Sequence, residues 1–410
     1  MKYNFDECIN RYNTNSIKYD FAKEKGKPTD TLPLWLADMD FQPPLEVREV
    51  LVGVSKHGIY GYSEQKESYF LALQSWYKKR LGWQVEPSWL IKTPGVVYAI
   101  AGAIRAFTSE GDAVMIQEPV YYPFRKTILA NHRKLINNEL VYKDDKYTID
   151  FEDFEAQILK HKVKLFILCN PHNPVGRVWT EEELIQLGDL CVKHHVYIVS
   201  DEIHSDFIYE GYQHRVLANL KPEYAQFTIT CTSPSKTFNL AGLQVSNIFI
   251  QDQVLRKRFK EELQKNAYSQ LNIMALKACE AAYTYGEEWL EELKEYLTGN
   301  LAFVRRFLEE RLSMLQLVEP EGTYLVWIDC RKLGLSPKDR QHLIVNKAKL
   351  WLDEGKLFGK SGEDFERINI ACPRSTLERA LIQLEKAIYE EQSRTDTLYF
   401  VKNRKTLTVS

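Results

Sequence analysis

A lysine in a hydroxyl-rich turn is the residue of this sequence with the clearest chemical potential. Lys236 follows the apolar segment 227–231, and Ser233 and Ser235 lie just before it. The amine of a lysine can form a Schiff base with a carbonyl compound. Two hydroxyls and the N–H groups of a turn can hold an anion such as a phosphate. A lone lysine in a loop is usually a solvated surface residue, so this interpretation needs support from other segments.

Two further polar groups follow predicted strands. Asp201 comes after the apolar segment 196–200, and Asn173 lies in the turn Asn-Pro-His-Asn-Pro-Val-Gly that follows segment 163–169. A buried carboxylate can keep a pyridine nitrogen protonated, which pyridoxal 5′-phosphate (PLP) requires to act as an electron sink. Asp201 is equally typical of a helix N-cap, and Asn173 of a turn without function. The carboxyl ends of parallel strands share one sheet edge, so both residues are expected beside Lys236.

A fourth element is a proline-glycine entry into a predicted helix. Gly95 begins a run of small and apolar residues that continues to about residue 107. The N–H groups at a helix N-terminus bind phosphate well. Any buried helix can begin in this way, so the pattern gains weight only beside the other three.

The elements that position these residues alternate in type. Between residues 90 and 250, short apolar segments alternate with longer amphipathic ones, which predicts parallel strands joined by crossover helices. The predicted strands cover residues 113–117, 163–169, 196–200, 227–231 and 245–250. A helix is predicted from Thr180, where Thr-Glu-Glu-Glu is typical of a capping box. Two long helices are predicted over residues 253–285 and 287–312, and two strands over residues 323–330 and 367–371. The tail, residues 391–410, is not assigned, and both a packed strand and a frayed end are open for it.

Composition and charge exclude several classes of function. A net charge of −2 gives no electrostatic reason to expect nucleic acid or a membrane surface as a partner. No apolar run approaches the roughly 20 residues of a membrane-spanning helix, and the N-terminus lacks the features of a signal peptide. Seven cysteines without a Cys-x-x-Cys pair are expected to be reduced, and no metal-ligand spacing occurs. We therefore expect a cytoplasmic protein without a metal site.

Together the four elements resemble the fold-type I PLP enzymes, the aspartate aminotransferase superfamily, over residues 30–390. More narrowly, the sequence is similar to the MalY/PatB-type cystathionine β-lyases at residues 33–41, 60–62, 233–243 and 369–374. The resemblance implies an α/β fold with a large domain, whose mixed, mostly parallel sheet is flanked by helices, and a smaller α+β domain. The resemblance divides the chain into four parts. Residues 1–48 would form an N-terminal segment that contributes to the small domain, and residues 49–290 would form the large PLP-binding domain. Residues 291–395 would form the small C-terminal domain, and residues 396–410 would form a tail.

The resemblance also implies a role for individual residues. Lys236 would carry PLP as a Schiff base and act in catalysis with Tyr121, which stacks on the cofactor ring. Asn173 would bond the ring hydroxyl and Asp201 the ring nitrogen, while His204 stands where many relatives have a tyrosine. The groups implied for the phosphate are Gly95, Val96, Val97, Ser233, Ser235 and, from a second subunit of a homodimer, Tyr60. Those implied for the substrate are Arg374 for its α-carboxylate, with Trp35, Tyr62, Tyr121 and Trp327 as candidates to line its pocket.

One position departs from the aminotransferase pattern. Aspartate-type aminotransferases have an arginine for the cofactor phosphate eight residues after the Schiff-base lysine, and this sequence has Gln244 there. Phosphate binding would therefore depend more on backbone amides and hydroxyls.

The implied activity is a carbon–sulfur β-lyase that cleaves L-cystathionine or related L-cysteine S-conjugates to a thiol, pyruvate and ammonia. Lys236 would remove the substrate's Cα proton as a general base. A class I/II aminotransferase shares every step through Cα deprotonation, so the catalytic residues alone do not separate the two. A PLP-binding regulator is a third alternative, but such proteins carry an added DNA-binding domain, and no basic helix-turn-helix precedes residue 30.

Overall fold

The structure, a computed structural model, describes residues 2–267 and 270–407, and side chains up to residue 393. Strands of this part of the chain form four sheets. In chain order they are β1 (Leu32–Pro33), β2 (Leu90–Thr93), β3 (Ala113–Ile116), β4 (Lys134–Asn137), β5 (Val141–Lys143), β6 (Lys146–Thr148), β7 (Leu165–Cys169), β8 (Tyr197–Asp201), β9 (Thr228–Thr232), β10 (Ser246–Phe249), β11 (Gln316–Val318), β12 (Leu325–Asp329), β13 (Leu350–Trp351), β14 (Asp353–Glu354) and β15 (Phe365–Asn369).

The largest sheet has seven strands in the order β2-β10-β9-β8-β7-β3-β4. Strands β9, β8, β7, β3 and β4 are parallel, whereas β10 runs antiparallel to both of its neighbours. The five strands predicted by the sequence are all present. The alternation of segments predicted parallel strands, and β10 is the exception, in agreement with the mixed, mostly parallel sheet that the resemblance implied. The β9–β10 connection forms the Lys236 turn and contains a four-residue helix, so the chain returns without a long crossover helix.

Helices cover both faces of this sheet and continue into the C-terminal half. They are α1 (Leu45–His57), α2 (Glu67–Leu81), α3 (Val96–Phe107), α4 (Pro123–Ala130), α5 (Phe151–His161), α6 (Glu181–Lys193), α7 (Pro222–Ala225), α8 (Pro234–Thr237), α9 (Gln253–Lys265), α10 (Ile273–Tyr285), α11 (Glu287–Arg311), α12 (Pro337–Gln341) and α13 (Arg374–Leu407). The capping box predicted at Thr180 is present. The prediction of a single helix over residues 253–285 is wrong. Helix α9 ends at Lys265, and a second helix, α10, begins after Asn272, whose side chain caps it.

The smaller sheet has the order β11-β12-β15-β14 and is antiparallel. Its strands β12 and β15 correspond to the strands predicted at 323–330 and 367–371. The N-terminal segment reaches this half through the parallel pair β1–β13. The division into domains stays a prediction, and α11 crosses its proposed boundary between residues 290 and 291.

The C-terminal tail differs from the strand that the sequence suggested as one alternative. The backbone of residues 396–407 continues α13, and residues 408–410 lie outside the described part of the chain. Among the described helices, none is long and apolar enough to span a bilayer.

Candidate active site

A cavity of about 400 Å³ lies at the carboxyl edge of β7, β8 and β9. Every residue predicted for the cofactor except Tyr60 lines it: Lys236, Asp201, Asn173, Tyr121, His204, Gly95, Val96, Val97, Ser233 and Ser235. These residues come from five separate segments of the sequence. The parallel strands bring them together because their carboxyl ends meet at one edge.

Lys236 extends from the short helix α8, which begins directly after β9. The hydroxyl of Ser233 accepts a hydrogen bond from the N–H of Ser235 at 3.0 Å and lies 2.7 Å from the carbonyl of Val245. The Lys236 amine donates to the Ala37 carbonyl at 2.7 Å. Burial lowers the pKa of this amine to about 8, against the opposing charge of Asp38. The fraction of the amine that is neutral near physiological pH is therefore larger than for an ordinary lysine, although the protonated form still predominates.

Asp201 and His204 form the acidic and aromatic wall of the cavity. The Asp201 carboxylate accepts a hydrogen bond from the N–H of Ile203 at 3.2 Å. Burial raises the pKa of Asp201 to about 7, and this hydrogen bond acts in the opposite direction. Burial lowers the pKa of His204 well below its usual value, so its ring is neutral. Its Nδ1 has no hydrogen-bond partner among the described residues.

Asn173 contacts an arginine that the sequence reasoning did not select. Its Oδ1 accepts a hydrogen bond from Nη1 of Arg367 at 2.9 Å. Arg367 is 2% exposed, donates to the Trp35 carbonyl at 2.7 Å and pairs with Asp353. Its Nε has no partner within the described part of the chain. A charged residue at the start of the predicted strand 367–371 was the signal that could have identified it.

Arg374, which was predicted to bind the substrate α-carboxylate, does not lie on the cavity. Its Nε donates to Oδ1 of Asn300 at 2.6 Å, and its guanidinium lies 5.1 Å from the centre of the Phe303 ring. Its backbone N–H donates to the Tyr296 hydroxyl. These contacts make Arg374 part of the packing between α11 and the start of α13. Arg367 is the arginine that lies beside the site.

Of the residues predicted to line the substrate pocket, Tyr121 lines the cavity, whereas Trp35, Trp327 and Tyr62 lie elsewhere, as does Tyr60, which was predicted for the cofactor phosphate. Trp35 is buried and stacks on Trp351 with ring centroids 4.5 Å apart. Trp327 is also buried and stacks on Phe365. Tyr60 and Tyr62 are exposed on the segment between α1 and α2, with Tyr62 fully so. The structure of one chain therefore does not bring these four side chains into the cavity.

The groups that line the cavity fit PLP in their chemistry. Lys236 offers an amine for the aldehyde, and Asp201 offers a carboxylate for the pyridine nitrogen. Helix α3 begins after Gly95 without a side-chain cap, so the N–H groups of Val96 and Val97 have no acceptor within the helix and can bind phosphate. Gln244 also lines the cavity but carries no charge.

Residues 39–384 match the family model described as aminotransferase class I and II. The chain belongs to this family. This chain is 42% identical over 385 residues to cystathionine beta-lyase PatB of Bacillus subtilis, and the match covers 94% of this chain and 100% of that protein. It is 31% identical over 389 residues to protein MalY of Escherichia coli, covering 94% and 99%. These matches confirm the predicted family.

Solved structures agree with the fold. Cystalysin from Treponema denticola, which contains PLP, superposes with a TM-score of 0.92 at 38% identity, over 95% of this chain and 100% of that one. The PLP-bound C-S lyase from Staphylococcus hominis superposes with a TM-score of 0.88 at 33% identity, over 95% and 98%. The predicted fold-type I architecture is confirmed.

Proposed function

We propose that the protein is a PLP-dependent carbon–sulfur β-lyase that cleaves L-cystathionine or related L-cysteine S-conjugates to a thiol, pyruvate and ammonia. The observation that carries this proposal is the convergence of Lys236, Asp201 and Asn173 on one cavity. The chain that builds this cavity is 42% identical to a cystathionine β-lyase over that enzyme's whole length.

Bound PLP supplies an electron sink for the charge that develops at the substrate Cα. Asp201 would hold the proton on the pyridine nitrogen, and the Ile203 N–H bond orients its carboxylate for this contact. A positively charged partner favours the ionised form of a buried carboxyl group, so the pKa of Asp201 would fall when the ring nitrogen binds. His204, neutral because of its burial, would face the ring without adding charge.

Lys236 would move the proton at the substrate Cα. The lowered pKa of about 8 means that a fraction of the free Lys236 amine is neutral near physiological pH and would be able to accept that proton. The Ala37 carbonyl holds the amine at 2.7 Å. With a thiolate leaving group on Cβ, loss of that thiolate follows Cα deprotonation.

Arg367 is the side chain that we assign to the substrate α-carboxylate. A planar guanidinium binds a carboxylate in a bidentate manner. Its bond to Asn173 places it beside the cofactor site, and its Nε has no partner among the described residues. The pair with Asp353 holds the guanidinium in a fixed orientation.

A homodimer with shared active sites is part of the proposal. Tyr60 is 61% exposed in the single chain, and Ile59 and Tyr62 beside it are exposed as well. A cluster of exposed apolar side chains is typical of an interface. Mixing Lys236→Ala and Tyr60→Ala proteins tests the exchange, because one site of a hybrid dimer has both residues intact and should be more active than either variant. A mixture that is no more active than the two separate variants after subunit exchange would contradict it.

Transamination is the second candidate, since the matching family model is that of the aminotransferases. Incubating the PLP-loaded protein with L-cystathionine and no keto acid separates the two activities. A lyase releases pyruvate and homocysteine continuously. Product that forms only when a keto acid is added would contradict the lyase assignment.

We also propose a cytoplasmic location and a role in methionine biosynthesis. All seven cysteines are free, and six of them are buried, as in a reducing compartment. Homocysteine, the product from L-cystathionine, is the thiol that methionine synthesis consumes. Growth of a methionine auxotroph that lacks its own cystathionine lyase, when this protein is expressed, tests that role.

A further inference from the structure

Four charged side chains form a cluster near the active-site lysine, and two of them, Lys18 and Asp40, are buried while Arg11 and Asp38 are partly buried. Lys18 is fully buried, with Nζ at 3.0 and 3.1 Å from the two carboxylate oxygens of Asp40. Arg11 pairs with Asp38 and with Asp40, each at 2.7 Å. Two positive and two negative charges therefore balance. Buried ion pairs are weak contributors to stability compared with apolar side chains, so stability alone does not explain this cluster.

The two aspartates of the cluster belong to the segment of residues 36–40, and two asparagine side chains bond to the backbone of this segment. Asn369 donates to the carbonyls of Leu36 and Asp38 at 2.7 and 2.6 Å. Asn239 accepts from the N–H of Met39 at 3.0 Å and donates to its carbonyl at 2.9 Å. The backbone of residues 36–39 is thus fixed on both sides of residue 37.

What this arrangement positions is the Ala37 carbonyl. It accepts hydrogen bonds from the Lys236 amine at 2.7 Å and from the Tyr324 hydroxyl at 3.1 Å. We propose that Arg11 and Lys18 are positioning residues of the active site, which hold Ala37 as the acceptor for the Lys236 amine. The N-terminal segment is then part of the catalytic apparatus, although neither side chain lines the cavity.

The charges that face Lys236 provide a test of this role. They are those of Asp38, Asp201 and Arg367, with the neutral His204 on the same wall. Replacing Lys18 by methionine leaves the cluster with excess negative charge, which favours the protonated amine. Replacing Asp38 by asparagine removes a negative charge and disfavours it. The two variants should shift the protonation equilibrium of Lys236 in opposite directions. If the substitutions only loosened the packing around Ala37, both variants would shift this equilibrium in the same direction.

The experiment compares Lys18→Met and Asp38→Asn with Lys23→Met, an exposed lysine of the same segment, as the control. The visible absorbance of the PLP-loaded protein, which reports the proton on the Lys236 nitrogen when that nitrogen is joined to the cofactor, is titrated with pH, and kcat and KM are measured for cystathionine cleavage. We expect an upward shift of the absorbance titration in Lys18→Met and a downward shift in Asp38→Asn. In Lys18→Met kcat falls about tenfold or more while KM changes little, because a misplaced group affects the chemical step most. The control titrates as the parent protein does.

A Lys18→Met protein that is folded, with the parent's titration and kcat, would overturn the proposal, as would shifts of equal sign. If that variant does not fold, Lys18→Met/Asp40→Asn carries the test, since it removes opposite charges together. A parent-like kcat in the double variant would overturn the proposal as well. The kinetic readout rests on the proposed lyase function, but the titration does not. If the parent protein has no lyase activity but Lys18→Met and Asp38→Asn still shift the titration in opposite directions, only the proposed reaction is refuted.

Discussion

The assignment of Arg367 to the substrate α-carboxylate leads to a quantitative prediction. Arg367→Lys keeps the positive charge but loses the planar pair of donors, and so loses one charge-assisted hydrogen bond to the carboxylate. Such a bond contributes about 1.5–3 kcal/mol. At 1.36 kcal/mol for each factor of ten, kcat/KM for L-cystathionine should fall about 10- to 150-fold.

Arg374→Lys is the matched control, because Arg374 bonds Asn300 and packs over Phe303 away from the cavity. Its kcat/KM should stay within about threefold of the parent value. Pyruvate release, coupled to a dehydrogenase that consumes it, measures both variants under the same conditions. A larger loss in Arg374→Lys than in Arg367→Lys would refute the assignment and restore the role that the sequence suggested for Arg374.

Two further predictions concern stability. In the cofactor-free protein, burial raises the pKa of Asp201 from 3.8 to about 7, so the folded state binds more protons than the unfolded state between those pH values. Stability from this group is therefore lost as the pH rises across that range, and Asp201→Asn should remove this part of the pH dependence of Tm; parallel Tm profiles would contradict it. Gly176 has a φ of +76°, and an added Cβ would lie 2.8 Å from the Cβ of Pro320, whereas Gly211, at +88°, faces open space. Gly176→Ala should lower the free energy of unfolding by about 2–4 kcal/mol and Gly211→Ala by about 1 kcal/mol in urea titrations; equal losses would contradict the contact.

The cofactor end of the site was predictable because its residues follow strands. Lys236, Asp201 and Asn173 each come directly after an apolar segment, and the geometry of a parallel sheet then brings them to one edge. The start of α3 at Gly95 was visible for a similar reason, since its signal is local. Local patterns of this kind can be recognised in a sequence without knowledge of the tertiary structure.

The substrate end was less predictable because it depends on contacts between distant segments. Arg367 and Asn173 are 194 residues apart, and nothing in either local sequence marks the other as its partner. The cluster that contains Arg11 and Lys18 was likewise not predicted from the sequence, because charged residues in an irregular segment are usually solvated. The direction of β10 was missed for a different reason, since an apolar run does not show which way a strand points.

The linkage of the cofactor to Lys236 can be tested by chemical reduction. Borohydride reduction of the PLP-loaded protein fixes the cofactor to the lysine that holds it, and peptide mass mapping then identifies that lysine. The phosphopyridoxyl group should be on the peptide that contains Lys236 and absent from a Lys236→Ala variant. A phosphopyridoxyl group on a different lysine, or a loaded protein that reduction does not label, would contradict the linkage to Lys236.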